Sequence, residues 1–272
     1  MLKVHLFVIA VFFCTNIYAE IKEVTVTGMA VIYDNTTLES AKIQALNQAR
    51  ALAVEKAAGV STKRFSLLQD QMLVADLIKS FARGFIVEET RLTWQGSWLL
   101  SPETELGYPV VKIQWQGKVQ SYAKNVFRPN AINAELNKST YVNGDHMSVE
   151  LNAYEDVYIL LANYTAKGDV IPLYPNEYTP NNLLLSGQSL HYPRANSKNP
   201  LIVNTYPNSL VDTEAILAIA IPKGTVSKDY SWQTIFPAGQ KTSYAEYSKK
   251  IAALPFNWVA EKILVYKVYT NN

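Results

Sequence analysis

The sequence is nearly without cysteine. Its one cysteine, Cys14, lies inside an apolar run at the N-terminus. Lys3 supplies a positive start to that run, and Leu6 to Cys14 is too short to span a bilayer. Ala19 offers a small residue for cleavage before Glu20, although Ile17 is a poorer third-from-the-end residue than alanine. Residues 1–19 therefore read as a secretory signal peptide, and a periplasmic or secreted protein is expected. Phe12 and Phe13 precede Cys14 where lipidation calls for small residues, so an outer-membrane lipoprotein is not expected. Cleavage after Ala19 leaves no cysteine, which excludes disulfides, thiol nucleophiles and cysteine metal sites.

Other shortages narrow the chemistry further. No second long apolar run follows, so no transmembrane anchor is expected in the mature form. Beyond residue 19, 24 basic side chains face 23 acidic ones, and no basic block stands out. Nucleic acid is thus not an expected partner. Glycine-rich phosphate loops, serine-elbow motifs and metal-ligand helices are absent from the sequence. Two histidines follow the signal segment, His146 and His191, too few and too far apart for a metal site. No cofactor is expected, and the chain does not read as an enzyme.

What is present is a helix. Between Asp34 and Gly59 the chain is rich in Ala, Leu, Gln, Glu and Lys, the good helix formers. Thr36 followed by Glu39 has the spacing of a capping box, and Gly59 suits the left-handed residue that closes a helix. Leu38, Ala41, Ala45, Ala49 and Leu52 share one face, widened by Ile43, Leu46, Ala53, Val54 and Ala57. Ser40, Gln44, Asn47, Gln48 and Glu55 form a narrow polar arc. So broad an apolar arc predicts two neighbours, a sheet and a second helix.

Around this helix the alternation marks strands. Residues 22–33 place Val24, Val26, Ala30 and Ile32 on one side. Ser66 with Gln69 opens a second helix whose stripe is Leu68, Met72, Ala75 and Ile78, and Gly84 ends it. Residues 85–95 read as extended and Gly96 to Gly107 as a loop. Residues 110–120 set Val111, Ile113, Trp115 and Val119 against polar neighbours, a half-buried antiparallel strand. The order predicts an α+β unit with helices on one face of an antiparallel sheet, over 20–122.

That unit resembles the N-terminal domain of flagellar assembly protein T, which is similar to a domain of helicobacter-type surface lipoproteins. The resemblance rests on the spaced alanines ending in Ala58-Gly59-Val60, on Arg83-Gly84-Phe85, and on the Tyr108 to Val119 strand. It implies an envelope protein that works by protein–protein contact.

Residues 123–137 read as a linker, and 138–272 as a β-rich, sandwich-like domain. Met147, Val149, Leu151 and Ala153 alternate inward. Val157 to Ala162 is a buried strand, Lys167-Gly168-Asp169 a hairpin turn, and Val170 to Tyr174 the returning strand. Further strands are expected at 201–206, at 214–221 in a central position, and at Ile263 to Tyr269. Residues 243–254 predict an amphipathic helix with Tyr244, Tyr247, Ile251 and Leu254 inside. The motifs Tyr141-x-x-Gly144-Asp145, Tyr158-Ile159-Leu160-Leu161, Gly168-Asp169-Val170-x-Pro172-Leu173-Tyr174-Pro175-Asn176 and Ser186-Gly187 resemble bacterial domain-of-unknown-function family 4384. This resemblance spans about 136–222 and implies an accessory role.

His146 and His191 read as a strand-edge residue and a loop residue rather than general bases. Asp145 and Asp169 read as turn stabilisers rather than a carboxylate pair. Glu88 and Glu89 are adjacent, so a strand sends them to opposite faces. Asn35, Asn137 and Asn163 fit glycosylation acceptors, a pattern that arises often by chance. The candidate binding residues are Tyr174, Asn176, Tyr178 and Tyr192, where tyrosines could stack on sugars or meet a protein. The function expected is an exported, non-enzymatic assembly or interaction module whose partners are other envelope proteins, associated with the surface or flagellum. The alternative is a module that binds cell-wall glycan through the tyrosines.

Overall fold

The structure, a computed structural model, describes residues 20–33, 37–59, 84–100, 107–121, 126–194, 197, 199–226 and 230–271. It is α+β, though mostly β. The signal segment, the Asp34–Thr36 turn and nearly all of the second predicted helix lie outside the described residues. Gly84, expected to end that helix, begins a strand.

The first half builds β1 (Ile21–Val31), α1 (Leu38–Ala57), β2 (Gly84–Leu100) and β3 (Gly107–Ser121). The strands form an antiparallel sheet of order β1-β3-β2. Val111, Ile113, Trp115 and Val119 are buried as their alternation predicts. β2 runs on to Leu100, through part of the expected loop, because its ladder with β3 continues from Gly96↔Val111 to Leu100↔Gly107.

α1 lies across this sheet. Its N-cap is Thr37, one residue later than the expected pair, and the Thr37 hydroxyl accepts from the Ser40 N–H at 3.1 Å. Gly59 closes it with a φ of 70°. The approach to β1 is very close: a Cβ on Gly28 would stand 2.1 Å from the Ala45 carbonyl oxygen and 2.9 Å from the Ala49 Cβ. Small residues at 45 and 49 are therefore a requirement of the contact. The expected wheel needs correcting at its edges. Leu38 is exposed, whereas Asn47 and Gln48 from the polar arc are buried. Gln48 Oε1 accepts from the Met29 N–H at 2.6 Å, and Asn47 Oδ1 accepts from the Tyr164 hydroxyl.

The second half holds β4 (Ile132–Leu136), β5 (Thr140–Val142), β6 (His146–Met147), β7 (Val149–Ala153), β8 (Val157–Tyr164), β9 (Asp169–Tyr174), β10 (Leu183–Leu184), β11 (Ser189–Tyr192), β12 (Leu201–Ile202) and β13 (Val211–Pro222). A short α2 (Trp232–Ile235), β14 (Thr242–Ser243), α3 (Tyr244–Ala252) and β15 (Ala260–Tyr269) complete it. The largest sheet has the order β14-β9-β8-β13-β15-β5, with β10 beside β8. β13 is central, as its unbroken apolar run predicts. β4 falls inside the segment expected to be a linker and pairs with β7. The strand expected at 201–206 is limited to β12.

The large sheet is covered on both faces. Ile159, Leu161, Ile216 and Ala218 pack with Val149 and Leu151 of the β11-β7-β4 sheet, a sandwich. Leu160, Ala162, Leu217 and Ile219 of the opposite face share a core with Ala45, Ala49, Trp115 and Tyr247. α3, from the far end of the chain, joins this core and meets α1 through Arg50 over the Tyr244 ring. Tyr244, Tyr247, Ile251 and Leu254 are all buried, as the amphipathic pattern predicts. No helix among the described residues is long and apolar enough to cross a membrane.

Candidate functional site

β9 delivers Tyr174 and β11 delivers Tyr192 to one end of the large sheet, each followed by a cis proline. Their rings lie 5.4 Å apart. Asn176 ties them together. Its Nδ2 donates to the Leu173 carbonyl and to the Tyr192 hydroxyl oxygen, both at 3.0 Å. Its Oδ1 accepts from the N–H groups of Tyr178 and Thr179 and from the Thr179 hydroxyl, at 3.0, 2.9 and 3.0 Å. The Tyr192 hydroxyl donates to the Leu173 carbonyl at 2.8 Å, and that of Tyr174 to the Asn181 carbonyl. Burial pushes the Tyr174 hydroxyl up to about 12 and raises Tyr192 as well.

The four candidate residues therefore gather in one place but divide in kind. Tyr174 and Tyr192 are 4% and 7% exposed, and the polar capacity of Asn176 is spent inside the fold. Tyr178 is 66% exposed, on a backbone pinned by Asn176. Only its ring is left to meet a ligand.

A second constellation links the two halves. Arg50 of α1 makes a bidentate pair with Glu89 of β2, both contacts at 2.9 Å, and the Trp115 indole donates to Glu89 at 2.6 Å. The guanidinium stacks over the Tyr244 ring of α3, 5.0 Å from its centroid. Burial pushes the Glu89 carboxyl up, but the charge and hydrogen bonds of Arg50 and the Trp115 bond outweigh it and hold the group below its ordinary range. Glu88 faces the other way and pairs with Lys118 at 2.7 Å. The residue patterns give Arg50 no role. Its signal was a lone arginine between Ala49 and Ala51 on a helix with a wide apolar arc.

The remaining candidates sit in structural positions. His146 and His191 are exposed; His191 lies in β11, not a loop, 3.5 Å from Glu150. Asp145 accepts from the Val142 N–H and from Lys138, both at 3.1 Å, and these bonds lower its carboxyl. Asp169 pairs with Lys241. The amides of Asn137 and Asn163 are engaged, donating to the His146 carbonyl and to Glu214. Among the described residues no group of three His, Cys, Asp or Glu could hold a metal. A cleft of about 60 Å³ beside Phe236, Tyr247 and Lys250 is far below the several hundred Å³ of an ordinary ligand pocket.

Apolar surface is exposed elsewhere. Val142, Tyr269 and Val211 are register partners across β5, β15 and β13, so their side chains form one row on one face. All three are exposed, and Leu210 beside them is 76% exposed.

Residues 140–207 match the model of a family described as a domain of unknown function, DUF4384. The match runs from β5 through β12 and includes the Tyr174–Tyr192 network, but leaves out β13 and β15. No curated protein matches the chain.

Proposed function

We propose that this protein is an exported, non-enzymatic interaction module of the cell envelope that works by contact with other envelope proteins. The leader-like residues 1–19 support export. The resemblance of residues 20–122 to the flagellar assembly protein T domain supports an assembly role at the surface or flagellum. The observation that carries the reading is the exposed row Val142–Tyr269–Val211, an apolar strip at the end of the central sheet, with the exposed Leu210 next in the chain. Photo-crosslinking in intact cells tests it. A crosslinker at position 210 or 269 is expected to trap a recurrent protein adduct, and one at the exposed Glu135 is not. Equal yields from all three positions would count against it.

A second reading, binding of cell-wall glycan, draws on one observation: Tyr178 presents an exposed ring on a fixed turn. Cosedimentation with purified wall material, lost on Tyr178→Ala, would favour it over the first.

A further inference from the structure

α3 sits over a buried carboxyl, one oxygen of which has no hydrogen-bond partner among the described residues. β15 alternates, and Ala260 faces the sandwich core, so Glu261 points to the opposite face, the one that α3 covers. Its register partner Ile219 belongs to the core on that side. Glu261 is only 9% exposed, and its Oε1 makes no hydrogen bond. On α3, Tyr244 and Tyr247 are the titratable side chains close enough to feel its charge. Among the described residues no cation compensates it: Lys249 and Lys250 in the last turn of α3, Lys262 next along β15 and Arg50 on α1 exert no pull on the carboxyl. Burial alone acts there and pushes the group well above its ordinary value of 4.5. Both tyrosines are also raised by burial and stay neutral throughout the acid and neutral range.

We propose that Glu261 is a proton-operated latch for α3: with the carboxyl neutral the helix stays seated, and with the carboxylate ionised the seat loosens. Among the described residues an ionised carboxylate at this place has neither cation nor hydrogen-bond donor on Oε1, so the charge is relieved by admitting water beneath the helix. The seat is also the joint between the halves. Tyr244 lies under Arg50 there, and Phe85 of β2 meets Phe256, just beyond α3, at 6.4 Å. Loosening α3 therefore loosens the joint.

The sign follows from proton linkage. Between the ordinary value of 4.5 and the raised folded value, the seated state holds a proton that the opened state releases. Rising pH therefore favours opening, by about tenfold in the equilibrium constant per pH unit across that window.

Hydrogen exchange of the amides of residues 244–252, corrected for intrinsic rates from about pH 5 to about pH 8, tests the latch. The natural protein is expected to lose protection about tenfold per pH unit over part of that range. Glu261→Gln is expected to be flat. Ser248→Ala, at a buried hydroxyl on the same helix whose Oγ makes no well-formed hydrogen bond, should shift protection equally at every pH and keep the slope. Flat protection in the natural protein overturns the proposal, as does an unchanged slope in Glu261→Gln. Should the glutamine variant fail to fold, Glu261→Leu serves under the same criterion.

Discussion

Asn176 ties together several strands and turns of the β-rich half. It accepts three hydrogen bonds and donates two, so Asn176→Ala removes five bonds at once and leaves the Tyr192 hydroxyl only its bond to the Leu173 carbonyl. A loss of about 2 kcal/mol is expected in urea denaturation. Tyr178→Ala, which removes only an exposed ring, should stay within about 0.5 kcal/mol of the natural protein. The Arg50–Glu89 pair predicts a larger effect. Glu89→Ala leaves a buried guanidinium uncompensated and should cost about 3–5 kcal/mol, while Arg50→Met with Glu89→Leu should recover much of that. Its pH dependence has the opposite sign to that of Glu261. The Glu89 carboxyl is depressed in the folded state, so its contribution is complete above the ordinary value of 4.5 and is lost as pH falls through the folded value. Acid unfolding of Glu89→Gln should accordingly be less steep.

α1 shows what period can and cannot reveal at the scale of an element. Ala41, Ala45 and Ala49 were legible as a contact ridge because spacing alone places them on one face. Gly28 was not, since nothing in a strand pattern says which residue a helix will cross. Gly28→Ala drives a methyl into the Ala45 carbonyl and should cost at least ~1–3 kcal/mol, read as a lowered thermal midpoint. Ala49→Leu should cost a similar amount from the other side of the contact. A wheel ranks residues by polarity and so puts Asn47 and Gln48 in the polar arc. Their burial depends on partners 117 and 19 residues away. The far end of β2 and the whole of β4 escape the local pattern for a related reason: Gly96 and Pro129 signal turns, while β3 and β7 supply the ladders that carry these strands.

For the whole molecule, the decisive fact is that the central sheet is apolar on both faces. The match to residues 140–207 ends before β13 and β15, the strands that complete that sheet. One face is closed by the sandwich, and the other by α1, α3 and the sheet behind them. Residues 138–272 expressed alone should therefore expose Leu160, Ala162 and Leu217 and bind a hydrophobic dye, with poorly dispersed amide resonances; a well-dispersed spectrum would contradict this. Turns, strand alternation and the amphipathic face of α3 were readable in the chain because they depend on neighbours a few residues apart. The meeting of Arg50 on α1 with Tyr244 on α3, the inward closure of the Tyr174–Asn176–Tyr192 network and the buried acid beneath α3 were decided only by packing. Periodicity tells which side of an element is covered; the covering group comes from distant parts of the chain, and only the folded arrangement brings it there.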